Sequence, residues 1–264
     1  MTAAQTTLAA GAAQELVDRR RQQRRGPLLA APLRPASIDD ALQIQQQVLD
    51  LLGTTRGGWK CSVAPAGSAI LAPIPLDRIS RGDSCSVPLI DGVAPIEPEI
   101  AYVIGQDLPP RATPYTETEV LAAIASTHLA FELIASRYAA LATEIPDKLA
   151  DSLSNFGLHL GPQIDGPAAL EDIDGEVLRG FKLTLESDGA TAKQEWEGKH
   201  PDGHPLRALL WLVNYLNGRQ TGLRRGEVVT TGSYHGLLQV PANQMLRMQF
   251  GTLGKLQVTI RAAT

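Results

Sequence analysis

Two glutamates separated by a single residue lie in an apolar, strand-like run, IEPEIAYVI at 96–104. Because side chains alternate across a strand, Glu97 and Glu99 face the same way with Cα atoms roughly 6.5 Å apart. Two carboxylates on an otherwise apolar strand are unfavourable unless they are exposed or paired with a cation. The spacing therefore predicts either a cation site or a solvated edge strand, and alone it favours neither.

A third carboxylate, Glu132, stands in a second apolar run, HLAFELIA at 128–135. Three oxygen donors among small neighbours would suit a hard ion such as Mg²⁺ or Mn²⁺, with water or substrate completing its coordination. The alternative is that each glutamate is a surface residue on an edge strand.

Two further segments carry groups that could bind an anion. Lys60 lies between small and apolar residues in RGGWKC at 56–61. It could bind a carboxylate or, if desolvated, move a proton near neutral pH, although a surface lysine after a glycine turn has the same pattern. The run DSLSN at 151–155 could present hydroxyl and backbone donors to an anion, or simply cap a helix.

Helical periodicity gives way near residue 55 to short, strand-like segments separated by glycine and proline. This change predicts an N-terminal helical segment (1–55) followed by a catalytic domain (56–264). Two further helices are predicted, from Thr116 to about residue 127 and from His204-Pro205 to Gly218. The predicted strands cover 96–104, 129–134, 156–160, 181–185, 228–231, 245–250 and 256–260. Many short strands and few helices favour a β-rich α+β fold over a doubly wound sheet.

Composition excludes several classes of protein. The 264 residues are 44% hydrophobic with a net charge of -4, which favours a folded domain with a large core and no nucleic-acid partner. No run approaches the ~20 apolar residues of a membrane span, and no secretory signal is evident, so a cytoplasmic protein is expected. The basic run RRRQQRR at 19–25 is interpreted as a solvated helix face.

Six motifs occur in an order and spacing that are collectively specific. They are GWK at 58–60, IEPEIAYVIGQDLP at 96–109, AFELIASRY at 130–138, ADSLSNFGLHLG at 150–161, GHPLRALLWLVNYL at 203–216 and RRGEVVTTG at 224–232. Over about residues 15–262 the chain resembles the 2-keto-4-pentenoate hydratase and 4-oxalocrotonate decarboxylase branch of the fumarylacetoacetate hydrolase superfamily. The resemblance implies that this chain has the family's fold, a mixed β-sheet or β-roll preceded by an N-terminal helical segment, so that residues 56–264 form a fumarylacetoacetate-hydrolase-like catalytic domain.

The same resemblance implies a site and a reaction. Glu97, Glu99 and Glu132 would be the metal ligands, and Lys60 and Ser154 would act in catalysis and substrate binding. Asn155, in the DSLSN loop, is expected to contact substrate, although the run of Ser154, Asn155 and Phe156 differs from the small-residue run typical of the family. The expected reaction is Mg²⁺- or Mn²⁺-dependent hydration of a 2-hydroxy-2,4-dienoate to a 4-hydroxy-2-oxo acid. Decarboxylation of an oxalocrotonate-type 2-oxo acid and C–C hydrolysis of an acylpyruvate are alternatives on the same site.

The resemblance also bears on partners. It implies a homo-oligomer, for which a pathway decarboxylase is a candidate partner. An alternative of another class is a non-catalytic, metal-binding partner subunit. An intact set of three glutamates together with Lys60 argues against that alternative.

Overall fold

Two β-sheets and five α-helices form the part of the chain that a computed structural model describes, residues 3–189 and 192–263. The helices are α1 (Ala3–Arg21), α2 (Ile38–Leu52), α3 (Glu117–Ala122), α4 (Ile145–Ala150) and α5 (Pro205–Gly218). The strands are β1 (Arg56–Cys61), β2 (Leu71–Pro75), β3 (Ile79–Ser80), β4 (Ser84–Val87), β5 (Val93–Ile104), β6 (Ile124–Ile134), β7 (Asn155–Gln163), β8 (Gly180–Ser187), β9 (Gln194–Lys199), β10 (Val228–Thr230), β11 (Leu238–Pro241), β12 (Met245–Phe250) and β13 (Gly254–Ala262). The predicted β-rich α+β architecture with an N-terminal helical segment is confirmed.

The larger sheet has the strand order β2-β1-β10-β5-β6-β7-β3, and β11 pairs with the start of β5. Its two longest strands, β5 and β6, are antiparallel neighbours in which Glu97 lies directly opposite Glu132. The smaller sheet has the order β4-β13-β12-β8-β9. Both glutamate-bearing strands are therefore interior strands, which excludes the edge-strand interpretation.

The alternation of side chains along β5 and β6 divides the larger sheet into two faces. On one face, apolar side chains of these strands pack against the smaller sheet. That core contains Ile96, Ile100, Leu129, Phe131, Leu133, Leu183, Leu246, Met248, Val258 and Ile260. The residues that alternate with these along β5 and β6, including the three glutamates, project from the other face.

Helices cover the part of the sheet that the smaller sheet does not reach. Leu206 and Leu209 of α5 share a core with Cys61 and Tyr102, whose strand neighbours Lys60 and Ala101 project from the opposite face. The helix α2 begins at Ser37, whose hydroxyl accepts a hydrogen bond from the Asp40 backbone N–H at 3.1 Å, as its sequence predicts. None of the helices in the described residues has the length and hydrophobicity needed to cross a bilayer.

The helix predicted from Thr116 is shorter than expected. The capping box of Thr116 and Glu119 is present, but α3 ends at Ala122 and β6 begins at Ile124. Residues from Ile124 onward pair with β5, so the ladder satisfies backbone groups that a longer helix would otherwise have used. Tertiary pairing thus decides this boundary. The predicted division at residue 55 stays a prediction.

The interpretation of the basic run as a solvated face is wrong for Arg19. Arg19 is 4% exposed, and its guanidinium donates to the Glu15 carboxylate at 2.7 Å and to the Pro27 carbonyl at 2.6 Å. It also donates to the Arg137 carbonyl at 3.2 Å. Arg21 and Arg24 are exposed, as predicted. The run therefore ties α1 to the segment after β6.

Candidate active site

Four neighbouring strands bring charged and polar side chains to one face of the larger sheet. Lys60 on β1 lies beside Thr230 on β10, and Thr230 lies beside Ala101 on β5. Glu97 and Glu99 share the face of Ala101, and Glu132 on β6 faces Glu97. Apolar side chains continue this face around the charged groups: Ile74, Ala101, Ala130, Leu158, Leu160 and Val228. The face is thus a small acidic centre in an apolar platform.

The three predicted metal ligands converge. One carboxylate oxygen from each of Glu97, Glu99 and Glu132 lies within 4.8 Å of the others. Glu99 and Glu132 are 1% and 0% exposed, so neither is a surface residue. Acids this close are stable only when some of them are protonated or when positive charge compensates them.

Each buried glutamate is held by specific donors. The Glu99 carboxylate accepts hydrogen bonds from the Thr230 hydroxyl and, at 3.0 Å, from the Gly232 backbone N–H. One oxygen of Glu132, Oε1, accepts from the Asn155 amide at 2.8 Å and lies 2.7 Å from Lys60 Nζ. Its other oxygen, Oε2, is buried without a hydrogen-bond partner in the described structure. Glu132 therefore keeps one oxygen free for a ligand.

Burial and mutual repulsion determine how the acids titrate. Burial raises the pKa of the Glu97 carboxyl to about 7, and the charge of Glu132 adds to the rise. Burial, Glu132 and Glu97 together hold the pKa of Glu99 well above its ordinary value. A divalent cation between the three carboxylates would remove the repulsion that causes part of these shifts.

The residues present fit a hard divalent cation. All three donors are carboxylate oxygens, the ligand type that Mg²⁺ and Mn²⁺ prefer. Lys60 supplies one positive charge against three carboxylates, and the unpartnered Oε2 of Glu132 lies within this cluster. Glu97, Glu99 and Glu132 are the residues that would hold the ion.

Lys60 is oriented from two sides. Its Nζ contacts Glu132 Oε1 at 2.7 Å and donates to the Leu153 carbonyl at 3.2 Å. Burial lowers the pKa of Lys60, but the charges of Glu132, Glu97 and Glu99 outweigh burial and raise it above the ordinary value. An ammonium has three donors, so one remains for a substrate oxygen.

The Leu153 carbonyl reaches Lys60 because the chain turns sharply between α4 and β7. Ser152, Leu153 and Ser154 have positive φ angles of 49°, 52° and 63°. The left-handed region is unfavourable for non-glycine residues by roughly 1–2 kcal/mol each, so surrounding contacts must hold the turn. The Ala135 N–H donates to the Ser154 carbonyl at 2.8 Å. Ser154 and Leu153 line a cavity of about 260 Å³.

Asn155 lies at the inner end of this turn. Its side-chain amide donates to Glu132 Oε1 at 2.8 Å, and its own Oδ1 is buried without a partner in the described structure. The amide group therefore orients Glu132, a candidate metal ligand. The substrate contact expected of Asn155 stays a prediction.

Two residues whose side chains are capable of other chemistry, Cys61 and His204, have structural surroundings instead. Burial raises the pKa of the Cys61 thiol well above its ordinary value, so Cys61 is not an activated nucleophile. His204 Nε2 lies 3.6 Å from the Glu171 carboxylate, but His204 caps α5 by accepting from the Leu206 N–H. Because α5 packs on the opposite face of the sheet, this pair does not face the acidic centre.

Sequence reasoning missed the groups that support the glutamates. Thr230 and Gly232 lie in the VTTG end of one quoted motif, but nothing local links them to Glu99, 131 and 133 positions away. The Leu153 carbonyl is a backbone group that carries no sequence signal at all. A polar Thr-Thr-Gly run directly after an apolar strand was the one available indication of a site there.

Comparison with known proteins gives relatives and a shared fold, although no protein-family model matches the sequence. The chain is 31% identical over 182 residues to a 2-keto-4-pentenoate hydratase of Burkholderia vietnamiensis (strain G4 / LMG 22486), covering 69% of this chain and 66% of the relative. It is 28% identical over 162 residues to a 2-hydroxyhexa-2,4-dienoate hydratase of Comamonas testosteroni, covering 61% of this chain and 58% of the relative. These alignments thus span 58–66% of the relatives' length.

The similarity of fold extends further than the alignments of sequence. The structure of 4-oxalocrotonate decarboxylase from Pseudomonas putida G7, complexed with magnesium and adipate, matches with a TM-score of 0.73 at 18% identity. The match covers 96% of this chain and 97% of that chain. The N-terminal helices and both sheets therefore belong to one shared architecture.

Proposed function

Because the chain belongs to the 2-keto-4-pentenoate hydratase and 4-oxalocrotonate decarboxylase family of the fumarylacetoacetate hydrolase superfamily, we propose that it is a divalent-metal-dependent lyase. Its proposed reaction is the hydration of a 2-hydroxy-2,4-dienoate to a 4-hydroxy-2-oxo acid. The observation that carries the proposal is the convergence of Glu97, Glu99 and Glu132 within 4.8 Å, with Lys60 at 2.7 Å from Glu132.

The chain's own residues divide the work of binding. Glu97, Glu99 and Glu132 hold Mg²⁺ or Mn²⁺, which when bound supplies electrostatic stabilisation to negative charge on substrate oxygens. Lys60, a cation with one unused donor, binds the substrate carboxylate or passes a proton to the substrate. Ser154 follows Leu153, whose carbonyl accepts from Lys60 at 3.2 Å, and it is assigned to substrate binding on the sequence resemblance.

The surroundings of the centre suit the rest of such a substrate. Ala101, Ala130, Leu158 and Val228 extend the face on which the glutamates stand, and all are buried apolar residues. A short unsaturated carbon chain attached to a chelating 2-oxygen and carboxylate would place its polar end at the acids and its apolar end on this platform. The hydrolase alternative is weakened because the His204–Glu171 pair is on the wrong side of the sheet.

Turnover of 2-hydroxypenta-2,4-dienoate with Mg²⁺ or Mn²⁺, followed by loss of the dienol absorbance, tests the proposal. We expect turnover that a chelator abolishes and that added metal restores. The matched control is the exchange of an exposed glutamate, Glu144→Gln, which should leave the rate unchanged. Absence of metal-dependent turnover together with CO₂ release from an oxalocrotonate analogue would contradict hydration and establish the decarboxylase.

A non-catalytic partner subunit remains the proposal's competitor from another class. Calorimetric titration with Mg²⁺ and oxalate, a planar mimic of a 2-oxo acid, separates the two. Joint binding of metal and oxalate supports the enzyme, whereas metal binding without oxalate binding supports the partner subunit. The homo-oligomer implied by the sequence resemblance stays a prediction, and light scattering on the purified chain would measure it.

A further inference from the structure

The N-terminal helix α1 reaches the acidic centre through one side chain. Arg20 Nη2 donates to the backbone carbonyl of Asn155 at 2.7 Å, a contact that joins residues 135 positions apart. The side-chain amide of the same Asn155 donates to Glu132 Oε1 at 2.8 Å. A chain of two hydrogen bonds therefore leads from α1 to a candidate metal ligand.

A second guanidinium shares the Asn155 carbonyl. Arg137 Nη1 donates to it at 2.8 Å, and Arg137 Nε contacts the Asp151 carboxylate at 2.5 Å. Arg137 and Asp151 are 5% and 3% exposed, so this ion pair is fixed in the interior. Asp151 begins the turn that carries Ser154, and its carbonyl accepts from the Ser154 N–H at 3.0 Å. Arg20 and Arg137 thus form a clamp on the inner end of the strained turn.

Arg20 is half-buried beside Phe156, with its guanidinium carbon 5.3 Å from the centroid of that ring. Its Nη1 is buried without a hydrogen-bond partner, and no ion pair joins Arg20 to a carboxylate in the described part of the chain. Burial and the nearby cations Arg137 and Arg78 together lower the pKa of Arg20 to about 9. The Phe156 ring and the more distant carboxylates of Asp151 and Asp77 therefore compensate the charge of Arg20 only in part.

We propose that Arg20 is a positioning residue of the metal centre. Together with Arg137 it fixes the Asn155 carbonyl, which holds the Asn155 amide against Glu132 Oε1 and leaves Glu132 Oε2 directed to the ion. Groups that orient a metal ligand commonly change metal affinity by ~10–100-fold when they are lost. The inference rests on the proposed function, because it presumes that Glu132 binds a metal.

Calorimetric titration of Mn²⁺ into the full-length protein tests the clamp, with thermal melting of each metal-free variant beside it. The variants are Arg20→Met, which keeps the bulk but loses the donors, and Arg20→Lys, which keeps one donor group. Arg24→Met is the matched control, because Arg24 is an exposed arginine four residues further along the same basic run. If Arg20→Met fails to fold, Arg20→Gln takes its place with the same two readings.

We expect Arg20→Met to weaken Mn²⁺ binding about tenfold while its melting temperature falls by no more than about 5 °C, because the lost contacts are few. Arg20→Lys should recover part of the affinity, and Arg24→Met should match the wild type. Wild-type affinity in Arg20→Met would overturn the clamp and leave the metal centre intact. A wild-type protein that binds no Mn²⁺ would overturn the metal centre itself, and the clamp with it.

Discussion

The two faces of the β5–β6 strand pair have one backbone and opposite chemistry. Phe131 and Glu132 are neighbours in sequence, and both are fully buried. Phe131 packs into the apolar core against the smaller sheet, 6.3 Å from the ring of Phe250 between centroids. Glu132 faces Glu97 across the strand pair and shares its oxygen with Lys60 and Asn155.

The difference shows how one strand pair can separate stability from function. Because side chains alternate, a shift of one residue moves a side chain from the core to the site. The apolar face gains stability from burial, whereas the acidic face crowds carboxylates whose pKa values are raised by burial and repulsion. Substitutions on the two faces should therefore have separable effects on unfolding and on metal binding.

The largest expected effect is on the acidic face. Glu99→Gln keeps the shape and one acceptor oxygen for Thr230 and Gly232 but removes the charge. Because loss of groups that merely orient ligands lowers affinity or activity by ~10–100-fold, loss of a ligand charge should reduce metal-dependent turnover by more than about 100-fold. Steady-state kinetics and circular dichroism would check it. A folded variant with full turnover would refute the assignment of Glu99 as a ligand.

The second effect belongs to the apolar face. Phe131→Ala should lower the free energy of unfolding by about 3–5 kcal/mol, since it leaves a cavity between the sheets. Urea unfolding measures this loss, and calorimetry measures metal affinity in the folded fraction. We expect metal affinity within a few-fold of the wild type. A collapse of metal binding in the folded fraction would show that the two faces are not separable.

Metal bound at the acidic face should stabilise the folded protein. At a free concentration of 100 times Kd, Mg²⁺ or Mn²⁺ should raise the free energy of unfolding by about 2.7 kcal/mol, because the ion binds the folded state alone. The melting temperature of the wild type should rise with metal, and that of Glu99→Gln should change little. An equal rise in both proteins would place the bound ion elsewhere.

The smallest effect per unit of pH is the pH dependence of the free energy of unfolding that comes from the apolar face. His159, opposite Phe131 in the β6–β7 pair, is buried, and burial lowers its pKa to about 4. Between about 6.5 and about 4 the unfolded chain binds a proton that the folded chain does not, so stability falls as the pH falls through this window. One such group contributes at most about 1.4 kcal/mol per pH unit.

His159→Asn should flatten this part of the pH profile, which denaturant unfolding at a series of pH values would measure. The nitrogen of His159 that lies 3.0 Å from the Ser80 hydroxyl has an approximate counterpart in asparagine, so the variant should fold. An unchanged slope between the two pH limits would assign the acid sensitivity to other groups, such as buried His200.

The order of the sequence motifs predicted more about this protein than local residue patterns did. The resemblance drawn from six short motifs is confirmed by relatives at 31% and 28% identity, and the strands and caps predicted from alternation and capping residues are present. Predictions from local pattern were wrong for α3 and for Arg19, where contacts with distant segments determine the structure. The predicted helix α3 extended into residues that pair with β5. Arg19 was predicted to be solvated, but its guanidinium donates hydrogen bonds to the Pro27 and Arg137 carbonyls.

By itself, the sequence determined which residues could share a face and which side chains were available for metal chemistry. Glu-x-Glu in an extended run fixes two carboxylates on one side, because alternation is a property of the backbone. Only the tertiary structure decided that Glu132 faces Glu97 and that Leu153, Asn155 and Thr230 hold the cluster. Those contacts depend on strand register and on a left-handed turn, which arise from pairing between distant segments rather than from local preference.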